Sequence, residues 1–109
     1  MASSFRHNAT GAGAIAEAVA ASSAWQLIGV RIHMSAAGGA AEDFTVTIDS
    51  SVNAVYDVLL FTQDMNLVRD LFWQPTRPIV LLAADVIDIA YANTNVRTWG
   101  LEVIWQGGG

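Results

Sequence analysis

Polar and apolar residues alternate along most of this chain with a period of two, and the runs are short. Residues 26–34 place Ile28, Val30, Ile32 and Met34 on one side and Arg31 and His33 on the other, the pattern of a half-buried strand. Phe44, Val46 and Ile48 alternate with Thr45, Thr47 and Asp49 in a second clean strand, whose β-branched residues suit a pleated surface. Residues 86–91 repeat the pattern, with Ile87, Ile89 and Tyr91 opposed to Val86, Asp88 and Ala90. Residues 98–106 form the closing strand, where Trp105 keeps step with Leu101 and Val103 and reads as core. The run Val58-Leu59-Leu60-Phe61 is apolar on both sides, which predicts a central strand covered on both faces.

Punctuation between these runs sets the architecture. Residues 35–41 are a small-residue loop, 49–53 a turn, and Pro75 and Pro78 bracket a corner, so Phe72-Trp73 and residues 79–82 are separate strands meeting at an edge. Residues 83–85 and 92–95 turn the chain again. Residues 63–70 fit either one helical turn, through Leu67, Val68, Leu71 and Phe72, or a loop between strands, and the Asp and Asn within them favour the loop. Residues 14–21 are also two-sided: Ile15 and Val19 fit an i, i+4 helix face, while Ile15, Glu17 and Val19 fit a strand. A helix that short holds poorly alone, which favours the strand. Residues 1–13 are small and polar and are expected to be a flexible arm, with residues 107–109 a glycine tail. The expected fold is all-β: an antiparallel β-sandwich, jelly-roll-like, with seven to eight strands at residues 14–106.

Composition changes the picture in one respect. Charged residues make up 14% of the 109 and hydrophobic residues 53%, against the roughly 25% charged residues of an average globular protein. No run reaches the ~20 apolar residues of a membrane helix, so the excess points to contact with other protein surfaces, hence to an oligomer or assembly subunit. A net charge of −5, five arginines and no lysine argue against nucleic acid and anionic membranes as partners. The first seven residues have no apolar core of signal-peptide length, so no secretory address is expected.

Catalytic and cofactor chemistry find little support. There is no cysteine, which removes disulfides and thiolate sites. Asp85 and Asp88, three apart along a strand, point to opposite faces and cannot act on one substrate. His7 and His33 are the two histidines, too few and too scattered for a metal site, and the acids do not recur as a calcium loop requires. No serine lies in Gly-x-Ser-x-Gly and no glycine loop precedes a helix. Asn8-Ala9-Thr10 matches a glycosylation acceptor, a chance match without a secretory signal. The expectation is a non-enzyme with no cofactor, no metal and no catalytic residue.

Four tryptophans are the richer signal, because tryptophan anchors protein interfaces. Trp73, before the proline corner, and Trp99, beside Gly100 after a turn, are the better candidates for contact surfaces. With Arg77 at the corner and Phe5 and Arg6 in the arm, they make up the candidate interface.

The succession Ile28-Gly29-Val30-Arg31-Ile32-His33-Met34-Ser35, Phe44-Thr45-Val46-Thr47-Ile48-Asp49-Ser50, Tyr56-Asp57-Val58-Leu59-Leu60, Trp73-Gln74-Pro75, Asp85-Val86-Ile87 and Tyr91-Ala92-Asn93 to Trp99-Gly100-Leu101 resembles the small virion structural proteins of tailed bacteriophages, of the capsid decoration (cement) or head-spike kind. The likeness spans residues 14–105 as a texture of strands and turns. It implies a homotrimer on the outer surface of the head, made in the bacterial host cytoplasm, that clamps the major capsid protein lattice and reaches neighbours with its arms. Placement in the tail or baseplate is a variant of that expectation. A carbohydrate- or receptor-binding β-sandwich module, with Trp73 or Trp99 as stacking platform, is the alternative.

Overall fold

The computed structural model describes residues 4–107. Met1, Ala2, Ser3, Gly108 and Gly109 lie outside the described residues, as does the side chain of Phe5, so the arm and tail expected there are addressed only in part.

Nine strands run in chain order: β1 (Ser4–Gly11), β2 (Ile15–Ala20), β3 (Trp25–Met34), β4 (Asp43–Asp49), β5 (Val58–Asp64), β6 (Asp70–Trp73), β7 (Ile79–Leu81), β8 (Val86–Tyr91) and β9 (Trp99–Gly107). A single 3-10 turn, Ala54–Tyr56, precedes β5. The strands form two antiparallel sheets among the described residues. Sheet A has the order β1-β9-β3-β6, with β7 also pairing β3, and sheet B the order β2-β8-β4-β5. The pairings are nested: β1 with β9, β2 with β8, β3 with β6 and β7, and β4 with β5. Two further pairings, β3 with β9 and β4 with β8, join the nested pairs into sheets.

One face of each sheet is apolar, and the two faces share a single core. Val30, Ile32 and Met34 of β3 and Leu101 and Val103 of β9 come from sheet A. Phe44 and Val46 of β4, Ile87, Ile89 and Tyr91 of β8, and Ile15 of β2 come from sheet B. At one open edge Phe61 of β5 stacks on Trp73 of β6, with centroids 5.3 Å apart and planes 18° apart, which ties sheet to sheet. Trp25 and Trp105 pack at 5.0 Å within sheet A.

The all-β class and the inward faces of β4 and β8 are as the alternation predicts. Four expectations change. The segment expected as a flexible arm is, over Ser4–Gly11, a strand registered along its whole length with β9, because a chain bearing few apolar side chains still satisfies its backbone groups in a ladder. Among the described residues the strand count is nine rather than seven to eight. On β3 the register shifts between Leu27 and Gly29, a bulge that reverses the side-chain phase, so Trp25 and Leu27 join Val30, Ile32 and Met34 inside, and Ile28 does not share their side. The strand expected to be central is β5, which is an edge: Val58 and Leu59 are half-exposed.

The end of the molecule carrying the 11–14, 35–42, 65–69 and 92–98 loops is cross-tied by polar side chains. Asn93 is buried with φ 51. Its amide donates to the carbonyls of Gly13 and Arg97, 2.9 Å each, and its Oδ1 accepts from the Arg97 amide at 2.9 Å. Asn95 and the Arg97 Nε donate to the Gly38 and Ala37 carbonyls, both at 2.8 Å. Asn93→Ala removes these bonds, leaves buried partners unpaired and puts alanine in the left-handed region, so it is expected to lower unfolding free energy by about 2–4 kcal/mol, read from urea denaturation midpoints.

Candidate functional site

At the opposite end, β1, β3, β5 and β8 begin and β4, β7 and β9 finish, a consequence of the registers Ser4↔Gln106, Trp25↔Gly107 and Asp49↔Val86. Large apolar side chains sit there in the open. Val55 is 77% exposed, Val80 64%, Val52 63%, Tyr56 61% and Leu82 54%. Val52, Tyr56, Val80 and Leu82 line, with Ile48, Ser50 and Asp85, a depression of about 380 Å³. Val55 and Val58 adjoin Tyr56 along the chain.

Local chemistry holds this surface in one shape. The Asp85 carboxylate, itself buried, accepts from the Ser51 amide at 2.8 Å, the Ser51 hydroxyl at 2.7 Å and the Leu82 amide at 2.8 Å. It therefore fastens the 50–57 loop to the turn between β7 and β8. Inside the loop, Asn53 Oδ1 caps the 3-10 turn by accepting from the Val55 amide at 3.0 Å, and the Ser50 amide donates to Asp57 at 2.7 Å. The bonds donated by the Ser51 amide, the Leu82 amide and the Ser51 hydroxyl hold the Asp85 carboxyl below its ordinary value. On the outer face of sheet B the Asp88 carboxyl moves the other way, pushed up first by burial and then by the carboxylates of Asp49 and Asp57. Acids thus flank the apolar end.

A second surface lies on the outer face of sheet A. Arg31 Nη2 donates to Glu102 Oε1 at 2.5 Å, Arg6 Nη1 sits 3.3 Å from Glu102 Oε2, and His33 pairs with Asp70. The Arg31 hydrogen bond, aided by the charges of Arg31 and Arg6, holds the Glu102 carboxyl low. These groups surround a trough of about 480 Å³ beside Phe72.

The residues selected from sequence do not assemble into one site. Trp99 is buried, and its indole N–H donates to the Gly13 carbonyl at 2.9 Å; it shares the inward phase of Leu101 and Val103. Trp73 faces the core edge and Phe61, so the outward aromatic of β6 is Phe72. Arg6 lies on β1 in the charged network, Phe5 is on β1 with its side chain outside what is described, and Arg77 is exposed between β6 and β7. Alternation along the chain does not mark Val52, Val55, Tyr56, Val80 and Leu82 as one surface. The available signal was three large apolar residues inside a Ser/Asn/Asp turn, where polar residues are the rule.

Among the described residues no three His, Asp or Glu side chains are placed to hold a metal ion, and no helix is long and apolar enough to cross a membrane. Compared with protein-family models, curated proteins and solved structures, the chain matches none of them.

Asp85→Ala leaves two amides and a hydroxyl without their acceptor and is expected to cost about 2–3 kcal/mol at pH 7. Because the folded-state carboxyl is held low, its contribution is present above the ordinary aspartate pKa and lost as pH falls through the folded value. The gap between wild type and variant should therefore close in acid, measured as denaturation midpoints between pH 7 and pH 2.

Proposed function

We propose that this chain is a non-enzymatic structural protein that docks by its apolar end onto a lattice of another protein. The kind that fits best is the capsid decoration (cement) protein of tailed phages, with the major capsid protein as partner and the outer surface of the head as its place. The observation that carries the reading is the set of exposed Val52, Val55 and Tyr56 on the 50–57 loop and Val80 and Leu82 at the end of β7, two segments that the Asp85 hydrogen bonds already join before binding. Preorganisation spares the ordering entropy that a floppy loop loses on docking.

The nested pairing supports a jelly roll within a β-sandwich. Pairing first strand with last, second with second-last, and so inward, then rolling the resulting ribbon, yields the orders β1-β9-β3-β6 and β2-β8-β4-β5. In that arrangement the strands form the wall and the loops the two ends, so a surface built from loops 50–57 and 82–85 faces along the strand axis.

Magnitudes favour several linked contacts over one. Covering each of these half-exposed side chains contributes roughly 1 kcal/mol, about 6 kcal/mol together with Val58. Loss of translational and rotational freedom costs at least ~4 kcal/mol. One copy then binds weakly, whereas three joined copies gain from high effective concentration. A homotrimer meets that requirement.

Mixed with emptied, expanded tailed-phage capsids and pelleted, the wild-type chain is expected to co-sediment. The V55D/Y56D double variant, changed where both side chains already face water, is expected to keep its circular dichroism and lose at least about tenfold in affinity. A wild-type chain that stays in the supernatant, or a variant that binds equally well, contradicts the proposal.

A further inference from the structure

The trough on the outer face of sheet A belongs to neither the core nor the apolar end. Its floor is Gly100, which takes an outward position between the buried Trp99 and Leu101 and lies opposite Thr10 on β1 and His33 on β3. Nothing lies within 4 Å of the point where a Cβ at Gly100 would sit. Any ordinary residue fits there, and a glycine inside a strand weakens it; its effect here is to leave the sheet surface concave. One wall is Phe72, half-exposed on β6. A Cβ at Gly29 would fall 2.9 Å from the Phe72 ring, so this second glycine lets the ring lie down against the backbone of β3.

We infer that this trough binds an uncharged sugar ring of a glycan. Its polar groups are planar and are held by one another through single contacts: Arg31 to Glu102 at 2.5 Å, and His33 to Asp70. Arg31 and Arg6 lie against Glu102 and His33 lies against Asp70, so an ion of either sign entering the trough meets a group of its own charge. A phosphate or carboxylate would meet Asp70 and Glu102, and an ammonium would meet Arg31 with Arg6 behind it. An apolar ligand would strip water from all of them without replacing its hydrogen bonds. A neutral polyol satisfies every group: the carboxylates accept from hydroxyls, Arg31 and Asn8 donate to them, and the apolar face of the ring rests on Phe72. A volume of about 480 Å³ suits one or two rings. The surface is separate from the apolar end and does not depend on what docks there.

The test is a titration of the 15N-labelled full chain, followed by amide NMR, with lactose, maltose, cellobiose and N,N′-diacetylchitobiose, and with sialyllactose as the charged control. At least one neutral sugar is expected to shift the amides of His33, Phe72 and Gly100 in a saturable way. Gly100→Tyr, which fills the trough from an open position, is expected to weaken that binding at least about tenfold while leaving the spectrum folded. Asp70→Asn, a near-isosteric change at an exposed residue, gives an independent loss should the tyrosine disturb β9. V55D/Y56D is expected to bind the sugar as wild type does. If no neutral sugar shifts these amides, if only sialyllactose does, or if G100Y and D70N both bind like wild type, the assignment is overturned.

Discussion

Two sheets that each carry one apolar face must cover each other, and everything else in this molecule follows from that mutual burial. Val30, Ile32, Leu101 and Val103 cannot leave water except against Phe44, Val46, Ile87 and Ile89, and among the described residues no α-helix takes either part. Each half-covered sheet on its own would expose its whole core face, so the sheets stand or fall together. The central strands β3, β4, β8 and β9 supply most of this core, and the β3 bulge keeps both halves of that strand facing it. The Phe61–Trp73 stack closes one edge where the sheets would otherwise part.

Once the core is filled, the two ends of the molecule diverge. At one, Asn93, Asn95 and Arg97 donate to the carbonyls of neighbouring loops, and the exposed large apolar side chains there are Leu67 and Val96, which share no depression. At the other, Asp85 organises the 50–57 loop with a few bonds and leaves Val52, Val55 and Tyr56 in water. The same loop supplies order and exposed apolar area. Rigid apolar surface is costly in a protein that meets only solvent and useful in one that meets a lattice, which is why the functional reading rests on this end rather than on the tryptophans.

Much of the fold was legible because alternation reports burial directly: β4 and β8 turn inward where their Phe, Val and Ile recur. What was illegible depends on partners distant in sequence. The strand β1 has the sequence Ser-Phe-Arg-His-Asn-Ala-Thr-Gly and no apolar rhythm; its place comes from the ladder with β9. The bulge at Ile28 is invisible without the β9 register. Trp99 shares the phase of Leu101, a signal outweighed by the glycine beside it and the turn before it. The hydrophobicity of the β5 run marks a strand but not its edge position, which leaves Val58 and Leu59 half-exposed. The sequence around Asp85 marks its turn, yet its role requires Ser51, 34 residues away. The sheet A trough draws on residues 8, 31, 33, 70, 72, 100 and 102, which only the cross-strand register unites.

Hydrogen–deuterium exchange of the chain bound to expanded capsids, compared with the free chain, tests the central claim most directly. Docking through the apolar end predicts added protection in residues 50–58 and 79–84 and unchanged exchange in residues 35–42 and 92–98. Protection confined to the polar-tied loops would contradict the account.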